Sequence, residues 1–84
     1  MYRGDAIGDI DTFVESGYYK VSIGQTTNIP SDVYGYGVLE VAVASNFIIQ
    51  RYTPHQITPV YKYALCVRIK FNDIWSEWRK FIHD

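Results

Sequence analysis

Apolar and polar residues alternate along most of this chain, and that alternation predicts its architecture. Over 60–71, "VYKYALCVRIKF", the odd positions are Tyr61, Tyr63, Leu65, Val67, Ile69 and Phe71, and the even positions include Lys62, Ala64, Cys66, Arg68 and Lys70. Period-2 alternation of this length is strand geometry; a helix, with its 3.6-residue period, cannot produce it. Three shorter strands are predicted upstream. Residues 18–23, "YYKVSI", put Tyr19, Val21 and Ile23 on one face, and 38–44, "VLEVAVA", put Leu39, Val41 and Val43 there with Glu40 opposite. Residues 47–52, "FIIQRY", follow after only "SN" at 45–46, so these two strands should form a hairpin. The helical signal is confined to the first 16 residues. There "TFVE" reads as a capping box between Thr12 and Glu15, stopped by Gly17, with Ile10, Phe13 and Val14 turned inward.

Two loops complete the pattern: 24–37, "GQTTNIPSDVYGYG", and 53–59, "TPHQITP", bracketed by Pro54 and Pro59. A connection as long as the first is often functional in a small domain. The fold class that follows is mainly β, a small antiparallel sheet or sandwich with a short N-terminal helical turn. Its expected core is Tyr19, Leu39, Val41, Leu65, Val67 and Trp75.

Composition narrows the function classes. A chain of 84 residues makes one domain, which buries only about 60–65% of its unfolded surface. Oligomerisation is an ordinary way to widen so thin a margin. The net charge is −1 and the eight basic residues are scattered. Phosphate neutralisation needs a basic stripe, so nucleic acid is not an expected partner. No apolar run approaches the ~18 residues of a membrane span, and "MYRGDAIGD" has no signal-peptide core. The expectation is a soluble chain made in a host cytoplasm without its own export signal. One cysteine, Cys66, excludes an internal disulfide and a thiolate zinc site.

Aromatic residues are 17% of the chain, eight of them Tyr. Tyr and Trp offer a flat apolar face with a polar handle, which suits either a packed β core or a hydroxyl-rich ligand. Tyr34 and Tyr36 flank Gly35 in the long loop, where they either meet a ligand or cap the sheet edge. Trp75 and Trp78 close the chain in "NDIWSEWRKF". Strand spacing would send them to opposite faces, whereas a tight turn would bring both to one sheet face. One or both then plug the core against Val67 and Ile69, or stack a sugar or a base. The balance falls to a plug for at least one ring, with Trp75 assigned to the core and the outer edge of Trp78 left for a ligand. "RGD" at 3–5 is too short and too common to imply integrin binding. His55 and His83 have no further ligands at metal spacing, so no metal and no cofactor is expected. Asp9, Asp11 and Glu15 cluster where a helical turn attracts carboxylates rather than as a catalytic pair. No nucleophile–base arrangement supports an enzyme.

Taken in order, "GDIDTF", "SGYYKV", "TNIPSDVYGYGVLEV", "IIQRYTP", "CVRIK" and "WSEWRKF" resemble the knob domain of R-type pyocin tail fibres, a module that recurs in bacteriophage tail-fibre and receptor-binding proteins. The resemblance covers about residues 5 to 82. It divides the chain into an extended lead-in, 1–8, and a knob-like β domain, 9–84. The chain departs from the family in having Cys66 where an aromatic is frequent, and "FNDI" where a glycine-rich turn precedes the first tryptophan. The resemblance implies a non-enzymatic module of a phage or phage-like tail fibre, sited in the virion tail. Its implied partners are the other fibre domains, two further copies in a homotrimer, and a bacterial surface or wall glycan. On this reading Tyr34, Tyr36, Tyr52 and Trp78 are the candidate glycan residues. The competing expectation is a structural spacer or trimer-assembly module with no ligand of its own.

Overall fold

The computed structural model describes residues 1–55 and 63–82. Within them lie β1 (Tyr2–Asp5), β2 (Gly8–Asp9), a 3-10 turn (Ile10–Thr12), β3 (Gly17–Val21), β4 (Thr26–Thr27), β5 (Gly37–Ala44), β6 (Phe47–Pro54), β7 (Tyr63–Phe71), β8 (Ile74–Trp75) and β9 (Arg79–Ile82). The fold is mainly β with one short helical turn near the N-terminus, as the alternation predicts. The main sheet runs β1-β3-β5-β6-β7, and β8 and β9 share the far edge of β7. It is antiparallel apart from β1, which pairs parallel with β3. A parallel neighbour needs a crossover connection, and residues 6–16 supply it. The lead-in 1–8 is thus woven into the fold: β1 is an edge strand and Ala6 is fully buried. β2 and β4 pair separately as a short parallel ladder.

Of the predicted strands, 18–23 is realised as β3, which ends at Val21 and leaves Ile23 exposed. The hairpin forms with Ala44 opposite Phe47 and Ser45 at φ 57°. Thr53 and Pro54, expected in a loop, extend β6. Residues 56–59 of that loop, Val60, Tyr61 and Lys62 of the predicted long strand, and His83 lie outside the described residues. A second tight turn joins β7 to β8. Phe71 pairs with Ile74, and the two residues between them, Asn72 and Asp73, both have positive φ (52° and 63°). That is the type I′ pattern, whose twist matches the flanking strands, and Asn and Asp tolerate it without glycine.

The register builds the core row by row. Tyr19, Leu39, Tyr52 and Cys66 lie side by side across β3, β5, β6 and β7. The next row is Gly17, Val41, Gln50 and Arg68. Leu39, Val41, Tyr52 and Cys66 from these rows are buried, and Ala6, Ile10 and Val33 from the crossover and long loop close over them. Gly37 is required beneath this layer, because a Cβ there would sit 2.5 Å from the Thr53 carbonyl and 2.9 Å from the Tyr52 hydroxyl.

Two expectations change. Leu65 and Val67 lie on the opposite face of β7 from the core and are only half-buried, while Ile69 and Phe71 beside them are exposed. The buried positions are Cys66 and Arg68. Alternation defines two faces but not which of them is covered. Pairing with Tyr52 and Gln50 decides that. The capping box also does not form. Asp9 caps the 3-10 turn, its Oδ1 accepting from the Asp11 N–H at 2.9 Å, and Thr12 Oγ1 donates to the Asp9 carbonyl at 2.7 Å. Glu15 instead sits 3.6 Å from Arg3, whose Nε donates to the Ser16 carbonyl. The "RGD" arginine is therefore committed within the chain.

Candidate functional site

The site is built around Arg68, a side chain only 6% exposed in the middle of β7. Burying a guanidinium is costly unless its donors and charge are satisfied, and three elements satisfy it here. From β6, Gln50 Oε1 accepts from Arg68 Nε at 2.9 Å and from Nη2 at 2.7 Å. From the 3-10 turn, Asp11 Oδ1 accepts from Nη2 at 2.7 Å. From the closing segment, the guanidinium carbon lies 4.0 Å from the Trp75 ring centre and 4.6 Å from that of Trp78. Gln50, fully buried, uses its other end to hold the crossover, donating to the carbonyls of Ile10 (2.7 Å) and Phe13 (3.0 Å). Trp75 Nε1 donates to the Asp11 carbonyl at 3.3 Å.

Both tryptophans reach one face because the last strand contains an extra residue. Trp75 pairs with Lys70, on the inner face. Arg79 pairs with Val67, on the outer face. Three residues, 76–78, therefore oppose only Ile69 and Arg68. Without the insertion Trp78 would stand opposite Val67 and point outward. With it, the ring turns inward beside Arg68. Ser76 anchors the irregularity, its N–H donating to the Ile69 carbonyl and its Oγ accepting from the Ile69 N–H. The tryptophans share a face through this extra residue rather than through the expected tight turn, they cover Arg68 rather than Val67 and Ile69, and it is Trp78, not Trp75 as expected, that packs against the core.

Beside this cluster opens a cleft of about 520 Å³, lined by Asp11, Asn28, Ile29, Pro30, Ser31, Arg68, Ser76, Glu77, Trp78 and Lys80. Asn28 takes a left-handed φ of 66°, and its amide donates to Asp9 Oδ1 at 2.7 Å and Asp11 Oδ2 at 3.3 Å. The Asn28 amide, then the Asp11 N–H, hold the Asp9 carboxyl below its ordinary value, with Arg68 adding to both. Lys80 Nζ donates to Ser31 Oγ at 2.7 Å, tying β9 to the long loop. An indole wall beside hydroxyl, carboxylate and ammonium groups offers both stacking and hydrogen bonding to a hydroxyl-rich ligand.

The four candidate glycan residues do not form one site. Trp78 lines the cleft. Tyr34 and Tyr36 line a different hollow of about 310 Å³ with Lys20, Val21, Gly37, Val38 and His55, their rings 5.5 Å apart and edge-on. Tyr52 is fully buried, so its ring cannot stack on a ligand. Its hydroxyl donates to the Tyr34 carbonyl at 2.6 Å and fixes the loop. Burial raises the Tyr52 hydroxyl's pKa, with Cys66 adding. Burial also raises that of the Cys66 thiol, opposed by Lys80. Arg68 and Gln50, central here, are not among the site residues the sequence points to. Their one signal was a polar residue in mid-strand on each of two predicted neighbours. No family model, curated protein or solved structure matches this chain.

Proposed function

We propose that the chain is a non-enzymatic module of a phage or phage-like tail fibre that binds a host cell-surface glycan as part of a homotrimer. The observation that carries this reading is the cleft beside Trp78, where an aromatic wall meets Asn28, Ser31, Glu77 and Lys80. Hydroxyl-rich ligands are held by this combination of ring faces and convergent polar groups. The motif order that resembles the pyocin knob supports the fibre context, and three linked copies would make weak single sites useful. The hollow at Tyr34 and Tyr36 offers a second aromatic surface to an extended polysaccharide.

The test is binding to a panel of bacterial wall and capsular polysaccharides, comparing wild type with Lys80→Ala and Glu77→Ala. Both side chains line the cleft without supporting Arg68, so the fold should survive their removal. Saturable binding to a bacterial glycan, weakened about tenfold or more by either change, is the expected result. A wild-type trimer that ignores every such glycan sinks the binding half of the proposal. It leaves the spacer reading, which one observation favours: the donors of Arg68 described above are all engaged within the chain.

A further inference from the structure

One nitrogen of the Arg68 guanidinium remains. Gln50 takes the edge formed by Nε and Nη2, Asp11 takes the second Nη2 hydrogen, and among the described residues no acceptor meets Nη1. A charged donor left without a partner in a buried side chain is costly. Nη1 is not sealed in, because Thr26 Oγ1 is the one sealed side-chain polar atom without a partner among the described residues. Arg68, only 6% exposed, lines the cleft beside Trp78, so the open end of its fork faces that cleft. The indoles of Trp75 and Trp78 hold the guanidinium plane at 4.0 and 4.6 Å. The direction in which Nη1 donates is therefore set before any ligand arrives.

A guanidinium nitrogen donates and never accepts, so the group that Nη1 is placed to meet is an acceptor. The charges of the cleft indicate which kind. On its lining, Arg68 and Lys80 stand against Asp11 and Glu77, and the two signs cancel. Asp11 Oδ1 lies 2.7 Å from Nη2, next to Nη1. A carboxylate or phosphate placed on Nη1 would meet that like charge at close range, whereas a neutral carbonyl oxygen would not. The cleft also carries Ile29 together with Trp78. A hydroxyl leaves such an aliphatic wall unused, and a methyl group covers it. Carbonyl and methyl occur together on a sugar as an acetyl group. An N-acetyl group adds an N–H, which points away from its carbonyl and needs an acceptor of its own. Glu77 lines the cleft and makes no ion pair among the described residues, so its carboxylate supplies one. An O-acetyl ester has no use for it.

We propose that the cleft selects amino sugars bearing an N-acetyl group, with the carbonyl on Arg68 Nη1, the methyl against Ile29 and Trp78, and the N–H on Glu77. The proposal rests on the glycan-binding reading above and names the class of sugar that reading leaves open. The experiment is an NMR titration of the chain with the methyl glycosides of N-acetylglucosamine, N-acetylgalactosamine and N-acetylmannosamine. Each is paired with its parent hexoside, and methyl glucuronide is the anionic probe. The expected result is that at least one acetamido glycoside binds about tenfold or more tightly than its parent. Its binding should move the Arg68 Nε–H and Trp78 indole signals and leave the indole of Trp75, which is outside the cleft lining, in place. Ile29→Thr, which removes the aliphatic wall, should cut that preference to under about threefold. The wild-type series decides by itself where Ile29→Thr fails to fold. A preference that survives Ile29→Thr in a folded variant overturns the proposal. So does a glucuronide that binds more tightly than every acetamido sugar, which would make this an anion site. Shifts confined to Tyr34 and Tyr36 would give the sugar to the other hollow and overturn it too. Binding to the polysaccharide panel with no acetamido preference refutes this proposal and leaves the glycan reading standing. No binding to any glycoside or polysaccharide refutes both.

Discussion

At the scale of single residues, Arg68 holds together elements far apart in the chain. Its fork reaches Gln50 on β6 and Asp11 in the 3-10 turn while its plane meets two indoles. Lysine keeps the charge but not the fork, and would leave the buried Gln50 carbonyl short of donors. Arg68→Lys is expected to cost about 2 kcal/mol in urea unfolding, against under about 1 kcal/mol for Asp11→Asn, whose side chain is 38% exposed. Equal losses would place the weight on the ion pair instead. Asp9 gives the fold an acid dependence. Its carboxyl titrates below the ordinary 3.8, so its stabilisation is complete above that value and is lost as pH falls through the lower folded one. Asp9→Asn should lower stability at neutral pH and flatten the stability–pH curve below pH 3.8, so that variant and wild type converge in acid. Cys66 works in the other direction. Its raised thiol pKa contributes stability that is complete below the ordinary 9.0 and lost as pH rises through the higher folded value.

Among the elements, the closing strand departs most from regularity. One extra residue between β8 and β9 decides which way Trp78 points. Deleting Arg79 restores a regular ladder with Lys80 still opposite Cys66, and should place Trp78 opposite Val67 on the outer face. The check is iodide quenching of tryptophan fluorescence, where the accessible fraction should rise as one ring leaves the Arg68 cluster. Unchanged quenching would mean that the strand re-forms its irregularity elsewhere. The strands themselves were legible because period-2 alternation is a local property of "VLEVAVA" and "YALCVRIKF". The irregularity was not, because it exists only relative to the pairing partner. The helical turn was legible in place but not in its cap. Thr12 donates to the Asp9 carbonyl instead of capping, and the Asn28 amide, 19 residues away, holds the Asp9 carboxylate where it accepts from the Asp11 N–H.

For the whole molecule, the eight buried apolar residues among the described residues make a small core on one side of one sheet, and a second apolar face lies opposite. The proposed homotrimer would link stability to association, so the melting temperature should rise with protein concentration. A melting temperature independent of concentration would mean that the covered face alone supports the fold. By itself, the sequence determined the four longest strands, their two faces and the hairpin at Ser45–Asn46, because period and turn chemistry act between neighbours in the chain. Only the tertiary structure decided which face of β7 is inside, that Tyr52 is buried rather than presented, and that Trp78 and the Tyr34–Tyr36 pair line separate hollows. Those outcomes depend on strand register and on where the crossover and long loop come to rest, and both are set by contacts between residues distant in sequence.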